Sequence, residues 1–324
     1  MITIAGAGLA GLACAYELAQ RGAEVRVYDR ASEIGAASVS RYAGGMLAPW
    51  CERESAEEAV ITLGGRAIDW WSNVTPVHRR GTLMVAPARD RAELTRFARR
   101  TSGYKGVGGA EIEALEPALA GRFQQGLFFD QEAHLDPRQG LIDLAQAAVK
   151  AGVDLRLGHP APKQVDLDCT GMPAGDQLTD LRPVRGEMAI LHCPGLEITR
   201  TLRLLHPRIP LYLVPRGDDH FMIGATMIES SSTRPVSLRS LSDLLNAAFV
   251  LHPALAEASV VETGTGLRPA FPDNLPRVTQ LGGTLFLNGL YRHGFLLAPA
   301  MAMQVADRLL PETQDAHHRQ RQSA

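Results

Sequence analysis

The opening of this chain constrains it more than any other stretch. Ile2-Thr3-Ile4-Ala5 runs into Gly6-Ala7-Gly8-Leu9-Ala10-Gly11, then Leu12-Ala13-Cys14-Ala15-Tyr16-Glu17-Leu18-Ala19. After Arg21-Gly22, Ala23-Glu24-Val25-Arg26-Val27-Tyr28 ends at Asp29. Leu9, Leu12, Tyr16 and Ala19 repeat at helical spacing and Val25 and Val27 alternate, so the order is strand, glycine turn, helix, strand, acid. The first glycine permits the tight turn and the second lets backbone approach a pyrophosphate. The third lets helix and strand pack closely, so that the free N–H groups of the helix start point at the phosphates. Asp29 stands about 20 residues on, where an acid accepts from a ribose hydroxyl. A bare G-x-G-x-x-G is weak evidence; the flanking pattern gives it weight. A plain glycine turn is one competing reading. A secretory signal is another, but no Lys or Arg precedes the apolar run and Glu17, Gln20 and Arg21 follow it. A dinucleotide site is expected.

With 324 residues the chain can hold a large core, in two interleaved lobes. A net charge of −2 gives no electrostatic reason to expect nucleic acid or an anionic membrane, and no window approaches the roughly 20 apolar residues of a span. Cys14, Cys51, Cys169 and Cys193 lack C-x-x-C spacing and read as buried thiols of a reducing, cytoplasmic compartment. The histidines form no H-E-x-x-H; His159, His206 and His252 each precede proline, which reads as turn chemistry, and no metal is expected.

Gly35 to Leu47 is a second cluster of small residues, suited to close passage along a bound group or to a surface loop. A helical pattern runs from Glu54 to Val74 with Gly64-Gly65 as a bend, and Trp70 and Trp71 are placed in the core or between lobes. Strands are predicted at Gly81–Val85 and Gly126–Phe129, and a helix at Asp90–Arg100. Asp136-Pro137 reads as an N-cap with proline at the first helical position, opening a helix to Lys150. Val153–Leu157 and Val165–Gly171 return as strands of the nucleotide sheet. Leu211–Pro215 and His220–Gly224 form a hairpin around Arg216-Gly217-Asp218-Asp219. Ser237–Val250 is a helix, Val260–Gly266 a strand leading into Leu267-Arg268-Pro269, and Leu285–Asn288 the last strand before a helix to Leu310. The expected fold is α/β, with an FAD-type Rossmann-like nucleotide domain (residues 1–75, 135–180 and 260–310) interleaved with an antiparallel-sheet α+β substrate domain (76–134 and 181–259). Residues 311–324 are expected to be a disordered tail.

Several separated motifs together resemble the D-amino-acid oxidase family of flavoenzymes, most closely its glycine oxidase branch, which serves thiamine biosynthesis. They are the opening fingerprint, Ala43-Gly44-Gly45-Met46-Leu47, Pro183-Val184-Arg185-Gly186-Glu187, Leu211 to Arg216 and Ile223 to Met227. The most specific are Gly266-Leu267-Arg268-Pro269 and Tyr291-Arg292-His293-Gly294-Phe295-Leu296-Leu297-Ala298-Pro299-Ala300. The likeness runs in order along nearly the whole chain.

The resemblance implies FAD, seated on Gly6, Ala7, Gly8, Leu9, Ala10, Gly11, Asp29, Arg30, Ser38, Ala43, Gly44, Gly45 and Met46. Ala161, Thr170 and Gly171 follow, then Leu290, Tyr291, Arg292, His293, Gly294, Phe295 and Leu296 along the ring, with the last helix aimed at its C2 carbonyl. The family usually has Glu where Asp29 stands, a mild departure. Some relatives attach FAD through a cysteine in the C-terminal half; none follows Cys193, so the flavin is expected to be noncovalent. Only Gly158 to Gln164 stand where relatives place a small meander over the adenine, which points to a weaker hold on FAD there.

By the same resemblance Arg268 is the bidentate clamp on a substrate carboxylate, Arg292 a second contact near flavin and substrate, Tyr212 a hydroxyl donor to the carboxylate, and Met227 a wall favouring glycine-sized substrates. From the residues alone, an arginine before proline can equally pair with a surface acid and a strand tyrosine can simply pack. The expected activity is oxidation of glycine or a similar small amine, with O2 as acceptor and H2O2 released. The alternatives are a dehydrogenase acting on a D-amino acid, sarcosine or an opine with another acceptor, and a non-catalytic nucleotide binder. A homo-oligomer is compatible with all three.

Overall fold

A computed structural model describes residues 1–52, 58–206 and 210–310. Ile2–Ala5 lies inside a six-stranded sheet, paired in parallel with Val25–Asp29 on one side and Leu167–Asp168 on the other. Asp154–Leu157 adds beyond Val25–Asp29, while Thr284–Asn288 and then Arg277–Leu281 complete the other edge. Parallel strands need both faces covered. The helices Leu9–Gln20, Pro137–Lys150 and Gly294–Leu309 supply that cover through Leu12, Leu18, Leu141, Leu144, Leu297 and Val305, which share one core with Ile4 and Val27. Asp136 starts the second of these helices by accepting from the Arg138 and Gln139 amides, as its N-cap pattern predicts.

The second sheet has nine strands. Arg182–His192 pairs with His220–Gly224, whose hairpin partner Leu211–Pro215 continues to Thr201–Leu204, Thr82–Val85, Gln125–Phe129 and Lys105–Gly108. Helix Leu238–Leu251, capped by Ser237, packs on this sheet through Leu244, Ala248 and Leu251.

The structure differs from expectation in two places. The strand expected at Val260–Gly266 runs from Ser259 to Ala270 and pairs with Arg182–His192 down to Arg182 and Ala270. It therefore belongs to the nine-stranded sheet and not to the nucleotide sheet expected from residue 260 on; backbone pairing decides membership, not nearness in sequence. Arg277–Leu281, an edge strand of mixed polarity, was not anticipated. The helix expected across 54–74 with a bend at Gly64-Gly65 is interrupted there, forming Glu58–Gly64 and Ala67–Ser72, while its expected start lies outside the described residues. The segment 158–164 carries no strand, in line with its shortness. The tail expected at 311–324 lies outside the described residues. Trp71 is fully buried, its indole N–H donating to the Phe295 carbonyl at 2.7 Å.

Candidate active site and nucleotide cradle

At the end of Ile2–Ala5 the chain turns at Gly6, with φ +94°, where a Cβ would stand 2.8 Å from the Cys169 carbonyl oxygen. A Cβ on Gly11 would lie 1.9 Å from the Gly6 oxygen, so neither position admits another residue. Gly8 is the N-cap of Leu9–Gln20; no side chain caps that helix and no acid sits in its first turn. Its leading N–H groups therefore form a bare positive end, suited to a pyrophosphate. Asp29 accepts from the Ala7 amide at 2.7 Å through Oδ2 and from the Ala31 amide at 2.8 Å through Oδ1. It pins the turn and keeps lone pairs for a ribose hydroxyl. Ser38 faces Gly8, its Oγ 3.4 Å from where a Cβ would be. Thr170 donates through amide and hydroxyl to Asp168, and the Gly171 carbonyl accepts from Asn288 at 2.9 Å. Arg30 is exposed, and Ala161 is half-buried in a segment without regular structure.

The small-residue loop is held as tightly. Gly45 has φ +67°, and a Cβ there would strike the Leu135 carbonyl at 2.1 Å. Arg216 donates to the Ala43 and Gly44 carbonyls at 3.0 Å each, and burial pushes its guanidinium down to about 10. Met46 pairs with His134 across a two-stranded ribbon. Turn, bare helix start and glycine loop fit FAD.

A cavity of about 300 Å³ is lined by Leu9, Ala43, Gly44, Met46, Gly294 and Phe295 from the expected flavin seat and by Tyr212, Met227, Arg268, Tyr291 and Arg292 from the expected substrate and ring contacts. Two sequence-remote groups are thus brought to one space. Leu296 lies elsewhere, against Gly64 in the core, and His293 is buried, with burial pushing its ring down to about 4. Leu290 is partly buried against the nucleotide-lobe core.

Arg268 extends from Ser259–Ala270 across Gly186, where a Cβ would lie 2.2 Å from its Nη2. Its Nη1 donates to the Thr226 carbonyl at 3.0 Å. Burial, helped by the neighbouring Arg292 charge, pushes it down to about 10, and no carboxylate among the described residues pairs with it. It is a buried cation facing a cavity.

Arg292 is placed differently. Its Nη2 meets Glu52 Oε2 at 2.6 Å and its Nη1 donates to the Met227 sulfur at 3.1 Å. The Tyr212 hydroxyl donates to Glu52 Oε1 at 2.5 Å. Burial alone would raise the Glu52 carboxyl, but Arg292, His293, Arg203 and the Tyr212 hydroxyl together hold it at about 2. Arg203 donates to the Cys51 carbonyl and lies over the Phe97 and Tyr212 rings, 4.8 and 5.1 Å from their centres. Glu132, behind them, accepts from the Cys51 amide at 2.7 Å, and burial pushes it up to about 8. Glu52, Arg203 and Glu132 were not anticipated. Glu52 follows an aperiodic stretch, Ala48-Pro49-Trp50-Cys51, and no local pattern marks it.

Residues 1–308 match the FAD dependent oxidoreductase (DAO) family. A Rhizobium etli protein named "Putative thiamine biosynthesis oxidoreductase ThiO" is 57% identical over 317 residues, covering 96% of this chain and 97% of that one. A glycine oxidase of Pseudomonas aeruginosa is 27% identical, covering 94% and 93%. The crystal structure of an iminodiacetate oxidase from Chelativorans sp. BNC1 superposes with a TM-score of 0.78 at 25% identity, covering 97% of this chain and 96% of that one.

Proposed function

This chain belongs to the family of FAD-dependent oxidoreductases, and on that premise we propose that it oxidises glycine, or an amino acid as small, to the imine. The observation that carries the reading is Arg268, a buried guanidinium open to the cavity with no resident acid to answer it. A carboxylate gripped there by two parallel N–H bonds is fixed in orientation as well as place, which sets the substrate's α C–H relative to the flavin seat. Arg268 and Arg292 together disfavour an ammonium beside them, so the bound amine tends to its neutral, reactive form. Met227 and Tyr291, joined by a hydroxyl–sulfur contact of 3.6 Å, narrow the space left for a substrate side chain.

FAD, when bound, supplies the hydride acceptor. Gly6 to Gly11 and Asp29 would hold its nucleotide end, and Ala43, Gly44, Gly294 and Phe295 would border its ring. The attachment is noncovalent in this reading, since the last cysteine, Cys193, is buried away from the cavity lining. Oxygen serves as acceptor, and the imine feeds the thiazole branch of thiamine biosynthesis. The R. etli and P. aeruginosa relatives support that assignment.

The test is anaerobic mixing of the yellow protein with glycine, sarcosine and small D-amino acids, followed in the visible flavin bands. Glycine is expected to bleach the flavin fastest, and peroxide to appear on admitting air. If no amine bleaches it, the reading fails; bleaching without peroxide would make the protein a dehydrogenase.

A further inference from the structure

We propose that Glu52 is a specificity-determining residue that restricts substrates to one carboxylate, because it occupies the second anion site of the cavity with its own side chain. Arg292 Nη2 and the Tyr212 hydroxyl converge on the two oxygens of Glu52, at 2.6 and 2.5 Å. A guanidinium and a phenol aimed at one point are a ready receptor for a carboxylate. Here the receptor is filled from within. Arg203 is engaged by the Cys51 carbonyl and covered by Phe97 and Tyr212, and Arg268 is left facing the cavity.

The consequence for ligands follows from charge. A monocarboxylic amine puts its acid on Arg268 and meets nothing else it must displace. An amine with a second carboxylate must either bring it beside the ionised Glu52, like charge against like, or break Glu52 from Arg292 and Tyr212 and leave a buried carboxylate without its two closest donors. Glu52 is held at about 2 by its cationic surroundings, so protonation does not relieve this conflict at neutral pH. The iminodiacetate oxidase shares the fold and, by its name, takes a substrate with two such groups, so the architecture itself sets no such limit. The restriction belongs to the pair Glu52–Arg292.

For turnover the inference rests on the amine-oxidase reading, but its binding arm does not. FAD-loaded wild type, Glu52→Gln and Glu52→Asp would be titrated with acetate and malonate, inert acids with one and two carboxylates, by flavin absorbance and by calorimetry. Wild type and Glu52→Asp are expected to bind malonate no tighter than acetate. Glu52→Gln, which keeps the shape and removes the charge, should shift the malonate-to-acetate affinity ratio about tenfold or more toward malonate. The kcat/KM ratio of iminodiacetate to glycine should move the same way. A wild type that already prefers malonate, or a Glu52→Gln ratio equal to that of wild type, overturns the proposal; should Glu52→Gln not fold, the wild-type ratio decides it. A shift in binding with no amine turned over would sink the oxidase reading and leave this one standing. Turnover of glycine with an unmoved ratio would do the reverse.

Discussion

Arg268 has its place because Gly186 has no side chain. The guanidinium lies where a Cβ would be, 2.2 Å from Nη2, so a single methyl there must push the guanidinium aside. Gly186→Ala should fold and load flavin yet raise the KM for glycine roughly 10–100-fold, since a displacement near 1 Å costs that much; an unchanged KM would show that the grip lies elsewhere. Arg268→Ala should lower kcat/KM by about 3–5 kcal/mol, because a buried substrate carboxylate loses its partner. Steady-state kinetics with glycine check both. Glu132 makes a different prediction. Its folded value of about 8 lies above the ordinary carboxyl range, so the folded state holds a proton that the unfolded chain releases. Its stabilisation is full below the unfolded value, near pH 4, and is lost as pH rises toward 8. Glu132→Gln retains an oxygen for the Cys51 amide and removes that loss. The variant's Tm relative to wild type should climb between pH 5 and pH 8; a constant difference would mean Glu132 titrates normally.

Individual elements were legible where their cause is local. The opening strand–turn–helix, the Asp136 cap and the 211–224 hairpin follow from glycine, proline and alternation within a few residues, and the structure contains each of them. The Gly6–Gly11 approach permits no alternative residue, so Gly11→Ala should yield protein purified with little flavin, read from the ratio of visible to ultraviolet absorbance. Retention of full flavin would show that the turn tolerates a shift of backbone. What escaped had non-local causes. Arg277–Leu281 is a strand because Thr284–Asn288 offers it an edge, and its own sequence, half-exposed and mixed in polarity, carries little signal. The strand through Arg268 continues past Gly266 because Arg182–His192 pairs with it. Glu52 was invisible for the same reason: its partners, Tyr212 and Arg292, meet it only in the folded chain.

At the scale of the molecule, the chain crosses between its two large sheets several times, and the cavity draws its lining from residues of both regions. Ligand binding at such a place should stabilise the whole. FAD at about 100 times its Kd is expected to add about 2.7 kcal/mol to the stability of the apoprotein. In calorimetry both cores should melt in one transition that moves upward together. Two transitions, with only one responding to FAD, would mean the lobes unfold independently. The order of strands in the nucleotide sheet carries one more implication. Ile2–Ala5 precedes the other strands of this sheet, yet its neighbour Leu167–Asp168 follows only after a long intervening stretch and the next strand, Thr284–Asn288, later again. At a ribosomal pace of ~5–20 residues per second, the earliest apolar strand waits roughly 10–30 s for its inner partner, and the sheet closes later still. During that interval a nascent chain exposes a sticky unfinished edge, so chaperone demand during translation should be set by this delay more than by the stability of the finished protein.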